Sequence, residues 1–433
     1  MRTKAALRSV LILCLCSAAL FSAFSVSAQD DKATVTFRSW SPIVETTTMM
    51  IDATEAVYPN IEIEATIFNY PEYLIDLKTR ASSDSLPDII GLEPGALTQE
   101  YREFLVPLQD CAEATWGPDW QDLFFPIGIE QARLGNPSGD ENFYGLPILT
   151  QTINLWYTVP IFEEAGLEPP TTYDELKDQA AIFSAKGLAP LMVGAGDGWL
   201  RRDVYMQIIH DIAPGLIYEA EEGIAKFTDE PFVQAMTVWK QLFDDNIIQP
   251  GALGLSAYPG SMEFIEGGRA AMFPMGAWWQ QQAMRPNPPP LSEGLSGFRP
   301  FRFPDVSGDG EPGGLLGGID VMLGVTKNTS DPDAACKVLT DWISGAGAQT
   351  LINTFNDLPA FKGLEPEVYG SENQREVWLL FTEDWLPTVQ YARQLRSPAV
   401  KQALEDALAA VAAGELSPEA GMQMVQDAWE PLD

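Results

Sequence analysis

The side chains best placed to do chemistry in this chain are indoles and carboxylates carried on glycine-rich backbone or at the ends of apolar runs. Trp40 stands before Ser41-Pro42, Glu93 before Pro94-Gly95, and Trp278 after Gly276-Ala277. Gly194-Ala195-Gly196-Asp197-Gly198-Trp199 presents a carboxylate and an indole on one loop, and Asp320 follows Gly317-Gly318-Ile319. Aromatic planes suit the apolar C–H face of a pyranose, and carboxylates, amides or guanidinium groups suit its hydroxyl rim. Noncovalent capture of such a ring is therefore chemistry these residue types can perform. Most of the 12 Trp must simply pack, so the useful ones are those at strand ends and in Gly-flanked loops. On that ground Trp278 is taken as a contact residue and its neighbour Trp279 as core. Tyr391 and Arg393, near the C-terminus, are further candidates to close over a ligand.

Bond-breaking chemistry has less support. His210 is the one histidine among 433 residues, which restricts imidazole catalysis and His-rich metal sites. Its place in a helix predicted over 203–212 reads as packing. No Gly-x-Ser-x-Gly elbow, phosphate loop, zinc signature or dinucleotide fingerprint occurs. Asp305-Val306-Ser307-Gly308-Asp309-Gly310-Glu311 lacks calcium-loop spacing and reads as an exposed turn. A glycoside hydrolase needs only two carboxylates, and an acidic chain offers many, so that rival stays open. The expectation is no catalytic residue, no cofactor and no metal.

Acidic residues number 61 against 26 basic, a net charge of −35, which argues against nucleic acid and anionic membrane surfaces. Met1 to Ala28 reads as a cleavable secretory signal. It has a basic start at Arg2, Lys4 and Arg8, an apolar stretch from Val10 to Phe24, and Val26-Ser27-Ala28 at the cleavage point. Cys14 and Cys16 fall within it, mid-stretch and after leucines, where a lipid anchor is not expected. Cys111 and Cys336 remain, as one long-range bridge or as two buried thiols.

The elements that would position these groups alternate. Ala33–Phe37, Ile61–Ile67 and Asp88–Leu92 read as strands, with helices over 46–57 and 70–83 between them, an order that implies a parallel sheet covered by helices. Thr172 and Glu175 form a capping box for a helix to about Ala185. Asp229 and Pro231 start another helix, with Phe232, Met236, Trp239 and Phe243 on one stripe. Asn287 to Gly314 reads as irregular connection, and Ser417-Pro418 starts the last helix.

Several motifs stand in a telling order: Leu86-Pro87-Asp88-Ile89-Ile90, then Tyr144-Gly145-Leu146-Pro147, Leu155-Trp156-Tyr157 and Ile161–Leu167 with Pro169–Leu176. They are followed by Phe264-Ile265-Glu266-Gly267-Gly268-Arg269-Ala270-Ala271-Met272 with Gly276-Ala277-Trp278-Trp279, and by Gly317-Gly318-Ile319-Asp320 with the helix Pro332–Ser344. Together they span nearly the whole chain after the leader. This series resembles the extracellular solute-binding proteins of the maltose-binding type, the sugar receptors of ABC importers. Two departures are visible: Tyr157-Thr158 replaces the usual Tyr-Asn, and Gln151 stands where the family's first hinge strand often carries an acid.

The resemblance implies an α/β, two-lobed periplasmic-binding-protein fold (type II-like), each lobe a mostly parallel sheet flanked by helices, joined by three hinge crossings. The crossings are expected near 148–153, 313–318 and 356–362. One lobe would combine 29–150 with 316–358 and the other 151–315 with 359–433. The implied function is capture of a mono- or oligosaccharide by hinge closure and delivery to permease subunits. The protein would be a monomer, periplasmic or secreted, and would meet the membrane only through the transporter. Trp278 matches the family's stacking tryptophan, and the candidate contacts are Trp278, Asp320, Trp40, Asp197, Trp199, Glu93, Gln151, Tyr391 and Arg393. A polyol, sugar phosphate or polyamine remains an alternative ligand, the anionic one kept open by the basic pair Arg201-Arg202.

Overall fold

The computed structural model describes residues 32–280, 297–355 and 358–432. The expected leader, residues 1–28, and the start of the proline-rich connection at 287–296 lie outside the described residues. Strands β1 (Ala33–Ser39), β2 (Ile61–Ile67) and β3 (Ile89–Leu92) are parallel, with β1 between the other two. In β2 the buried Ile61 and Ile63 alternate with the exposed Glu62 and Glu64, the period-2 signature of a strand with one covered face. Helices Val44–Val57 and Tyr70–Ser82 connect them.

The remaining strands are β4 (Leu146–Thr158), β5 (Ala189–Leu191), β6 (Ala270–Gly276), β7 (Phe298–Phe301), β8 (Leu316–Val325), β9 (Leu358–Pro359) and β10 (Tyr391–Ala392). The main path runs β2-β1-β3-β8-β4-β6-β5. Parallel pairing holds at β1–β3 and at β5–β6, whereas β8 runs antiparallel to β3 and to β4, and β4 antiparallel to β6. The sheet is therefore mixed, because the long strands traverse from one lobe to the other and back.

That passage is visible in the packing. Leu146, Ile148 and Leu149 of β4 bury with Ile319 and Val321 of β8 in one apolar core, while Ile153, Leu155 and Trp156 of β4 bury with Leu316 in a second. Leu358 belongs to the second core and Ala360 to the first, so β9 makes a third passage, residues 356–357 of which lie outside the described set. The molecule is a two-lobed α/β structure whose lobes are joined, among the described residues, by β4, β8 and the stretch around β9.

Local signals account for the helix starts. Thr172 accepts from the Glu175 amide, although the Glu175 carboxylate returns to Thr171 (N at 2.7 Å) rather than to Thr172. Asp331 caps the helix Pro332–Ser344, and Ser417 caps the last helix with Pro418 at its first position. The loop at Asp305 satisfies itself: its carboxylate accepts from the Gly308 and Gly310 amides, both at 2.8 Å. His210 is fully buried, its Nδ1 accepting from the Gly215 amide at 3.1 Å with the Tyr218 hydroxyl 3.2 Å from Nε2. Burial holds that imidazole down at about 3.

Cys111 and Cys336 are bridged, with Cα atoms 5.9 Å apart across 225 residues of sequence. The bond ties the helices Gln109–Trp116 and Pro332–Ser344, which pack on the same core. Restricting the unfolded chain by so long a loop is worth about 2–4 kcal/mol. The double variant C111S/C336S is expected to unfold at correspondingly lower denaturant, and wild type under reductant should follow it. Coincident unfolding curves for oxidised and reduced protein would show that the bridge contributes nothing.

Candidate ligand-binding cleft

Between the two cores lies a cavity of about 560 Å³. The first lobe contributes Trp40, immediately past β1, Tyr70 at the start of its helix, Glu93 immediately past β3, and Asp320 from β8. The second contributes Asp197 and Trp199 at the start of helix Gly198–Ile212, Tyr258, and Trp278 in the turn after β6. Arg393, one residue beyond β10, closes the floor. Seven of the nine residues expected from sequence thus line one cavity.

The backbone aims several of them. Thr150 pairs with Ile319 and Leu149 with Val321, so the ladder skips Asp320. Such a bulge re-aims the extra side chain, here into the cavity. At Gly276 an added Cβ would lie 1.9 Å from the Trp278 ring, so the indole rests on bare main chain. Trp278 Nε1 donates to the Tyr258 hydroxyl at 3.1 Å. Trp199 stacks on Tyr258 with 17° between planes and meets Trp278 edge-on at 6.1 Å. Across the cavity Trp40 meets Tyr70 edge-on at 5.1 Å.

Beneath the rings lies a buried charge network. Arg393 Nε donates to both oxygens of Asp203, at 2.9 and 3.0 Å. Its Nη1 is 3.7 Å from Glu93 and 3.8 Å from Asp320, and its guanidinium lies 5.0 Å from the Trp278 ring and 5.6 Å from that of Trp199. Glu93 accepts from the Tyr70 hydroxyl and, at 2.8 Å, from Gln394 Nε2, with Lys401 Nζ at 3.5 Å. Fully buried Arg202 donates to Glu405 at 2.5 Å and to Gln394 Oε1 at 3.3 Å. Isolated buried charges are prohibitively unstable, so each member depends on the others.

The network divides the carboxylates. Burial pushes Glu93 up, but Lys401, Arg393 and Arg202 outweigh it and hold it down at about 2. Burial, opposed by Arg393 and reinforced by Glu93 and Asp203, pushes Asp320 up to about 7. Burial likewise raises Asp197, although its carboxylate accepts from the Ala257 amide at 2.9 Å.

Two expected contacts stand outside the cavity lining. Gln151 is fully buried in β4, its amide donating to the Ile319 carbonyl at 3.1 Å and its oxygen facing Arg393 at 3.5 Å, so it supports the floor from below. Tyr391 stacks on His210, 4.2 Å away with planes 10° apart. The basic pair also points elsewhere: Arg201 donates to the Ala195, Gly196 and Glu405 carbonyls and Arg202 to Glu405. Tyr70, Tyr258, Asp203, Gln394 and Lys401 were not found from sequence. Tyr70 follows a strand end just as Trp40 does, a usable signal; the others are joined only by chain folding.

These shifts set a pH dependence. Asp320, at about 7 when folded against 3.8 for the free group, favours folding below pH 4 and loses that contribution as pH rises through 7. Glu221, raised by burial from 4.5 to about 7, acts in the same sense, whereas His210, lowered from 6.5 to about 3, acts in the opposite one. Wild-type Tm is therefore expected to fall between about pH 5 and pH 7. In D320N/E221Q the trend should tilt upward, because His210 remains. An unchanged slope in thermal melts of the double variant would refute these assignments.

Comparison with known proteins agrees with this architecture. The "Multiple sugar-binding protein" of Streptococcus mutans is 21% identical over 348 residues, 78% of each chain. A solved chitin oligosaccharide binding protein superposes with a TM-score of 0.76 at 23% identity, covering 92% of this chain and 98% of its own. Maltose-bound T. maritima MalE3 also gives 0.76, at 16% identity over 91% of this chain and 98% of its own. Among the described residues no helix is long and apolar enough to cross a membrane, and no group of three or more His, Cys, Asp or Glu gathers as for a metal ion. The family model for bacterial extracellular solute-binding proteins matches residues 40–350, and the chain belongs to that family.

Proposed function

We propose that this protein is the sugar-capturing component of an ABC importer, closing two lobes around a saccharide and releasing it to the permease. The observation that carries the reading is the cavity itself. Indoles Trp199 and Trp278 on one wall face Trp40 and Tyr70 on the other, with Asp197 and Asp320 beside them. Rings can take the C–H faces of a sugar and carboxylates its hydroxyls. A charge-assisted hydrogen bond contributes about 1.5–3 kcal/mol and stacking about 1 kcal/mol, enough after ordering costs for micromolar affinity near −8 kcal/mol. The related S. mutans protein is named for sugar binding, which supports the same class.

In this proposal one lobe combines 29–150 with about 316–364 and the other 151–315 with the C-terminal residues from about 369, hinged at the passages of β4, β8 and the stretch around β9. Ligand stabilises the closed state and so shifts the population toward it. The chain would be exported through its 1–28 leader to the periplasm or beyond and act as a monomer without chemistry. A hydrolase would need two disposable carboxylates, and Glu93 is not one of them, because both its oxygens are engaged, one by Tyr70 and one by Gln394. The inward-turned Arg201 and Arg202 leave an anionic ligand without the basic pair that first suggested one.

A thermal-shift screen of saccharides, polyols and polyamines is expected to raise Tm for at least one saccharide, with no release of reducing ends. Turnover of the stabilising sugar would establish the hydrolase instead. W278A should weaken the same sugar by about tenfold, near 1.4 kcal/mol; undiminished affinity in calorimetry would remove that indole from the site.

A further inference from the structure

We propose that the cleft selects by charge as well as shape, accepting saccharides that carry a free amino group at Asp320 and refusing those that carry carboxylate or phosphate. This rests on the sugar-receptor reading above and narrows it.

The cavity is lined by an excess of negative charge. Glu93, Asp197 and Asp320 lie within it, with Glu45 and Glu72 along the first lobe's lip and Glu263 along the second's. Among the described lining residues Arg393 is the one cation, and its charge is already shared. Its Nε is bound to both oxygens of Asp203, leaving Nη1 to be divided among Gln151, Glu93 and Asp320 at 3.5, 3.7 and 3.8 Å. A low-dielectric pocket with walls of one sign concentrates counter-charge and repels its own.

Asp320 itself is the independent observation. It is 5% exposed and its side chain faces the cavity from a bulge, yet among the described residues its carboxylate accepts no hydrogen bond. The nearest cation is Arg393 at 3.8 Å. Glu93, by contrast, has Tyr70, Gln394 and Lys401. A buried carboxylate left in this condition is stabilised by a donor arriving from outside, and more by a charged donor than by a neutral one. A hydroxyl supplies one O–H; an ammonium supplies three N–H groups and the missing charge. The faces of Trp199, Trp278, Trp40 and Tyr70 around the same space favour a cation as well.

Calorimetry with matched saccharides tests this: a β-linked glucosamine trimer against its N-acetylated twin, galactosamine against galactose, and galacturonate as the anion. At low salt the amino member of at least one pair is expected to bind about tenfold more tightly than its neutral twin. Added salt should close that gap, and D320N should bring the ratio toward unity; galacturonate should not bind. Should D320N fail to fold, the salt dependence of the wild-type ratio decides. Neutral twins bound as tightly as their amines, or galacturonate bound as well as galactose, would overturn the inference. A neutral saccharide bound while every amine is refused would overturn it too, leaving the sugar-receptor reading intact. Refusal of every saccharide, charged or neutral, would sink both.

Discussion

One buried guanidinium organises the centre of this molecule. Arg393 arrives from the C-terminal segment, which packs with the second lobe, yet within 4 Å of it lie Glu93 and Asp320 of the first. A cation enclosed by protein is tolerable only where carboxylates surround it, and carboxylates so enclosed need the cation in return. The end of β3, the bulge within β8, helix Gly198–Ile212 through Asp203, and the segment after β10 must therefore meet at one point. The same group supports Trp199 and Trp278 from beneath. Removing it would strip Asp203 and Asp320 of their nearest cation and leave Glu93 to Lys401 alone among close cations, which makes Arg393 as much a fold determinant as a cleft residue.

Around that point the lobes are joined by extended chain rather than by a broad apolar interface. The two cores share β4 and β8, each contributing side chains to both, and beside them Leu358 of β9 packs in one core and the adjoining Ala360 in the other. A few strand residues can absorb a hinge rotation while each core moves as a body, because packed interiors deform little. A further fixed point is the Ala96 amide donating to the Leu395 carbonyl at 2.8 Å, beside the Gln394–Glu93 bond. These bonds stand at the floor, on the hinge side, and leave the lips of the cavity unconnected by them.

Much of this was readable in the chain. The period-2 run Ile61–Ile67, the capping residues Thr172 and Ser417 and the Asp331-Pro332 helix start are local in cause, and the folded chain keeps them. Trp40, Glu93 and Trp278 could be singled out because ligand sites in such sheets gather outside strand ends. What resisted was pairing at a distance. Arg393 and Asp203 lie 190 residues apart and Gln394 and Glu93 301 apart, and nothing in either local sequence names the partner. Tyr391 and Gln151 show the complementary error: each is close to the cleft in sequence terms, but one is held by His210 and the other faces into the sheet. The parallel bias of the first three strands also concealed that β8 runs against both β3 and β4.

The contact between Gly276 and the Trp278 ring has a thermodynamic consequence. A platform leaning on main chain cannot rock into that space, so its orientation is set before anything docks on it. Immobilising a floppy aromatic on association costs about 0.5–1.5 kcal/mol; here that entropy is surrendered during folding instead. Any side chain larger than hydrogen at position 276 would tilt the plane, turning a ready-made shelf into one each guest must straighten for itself.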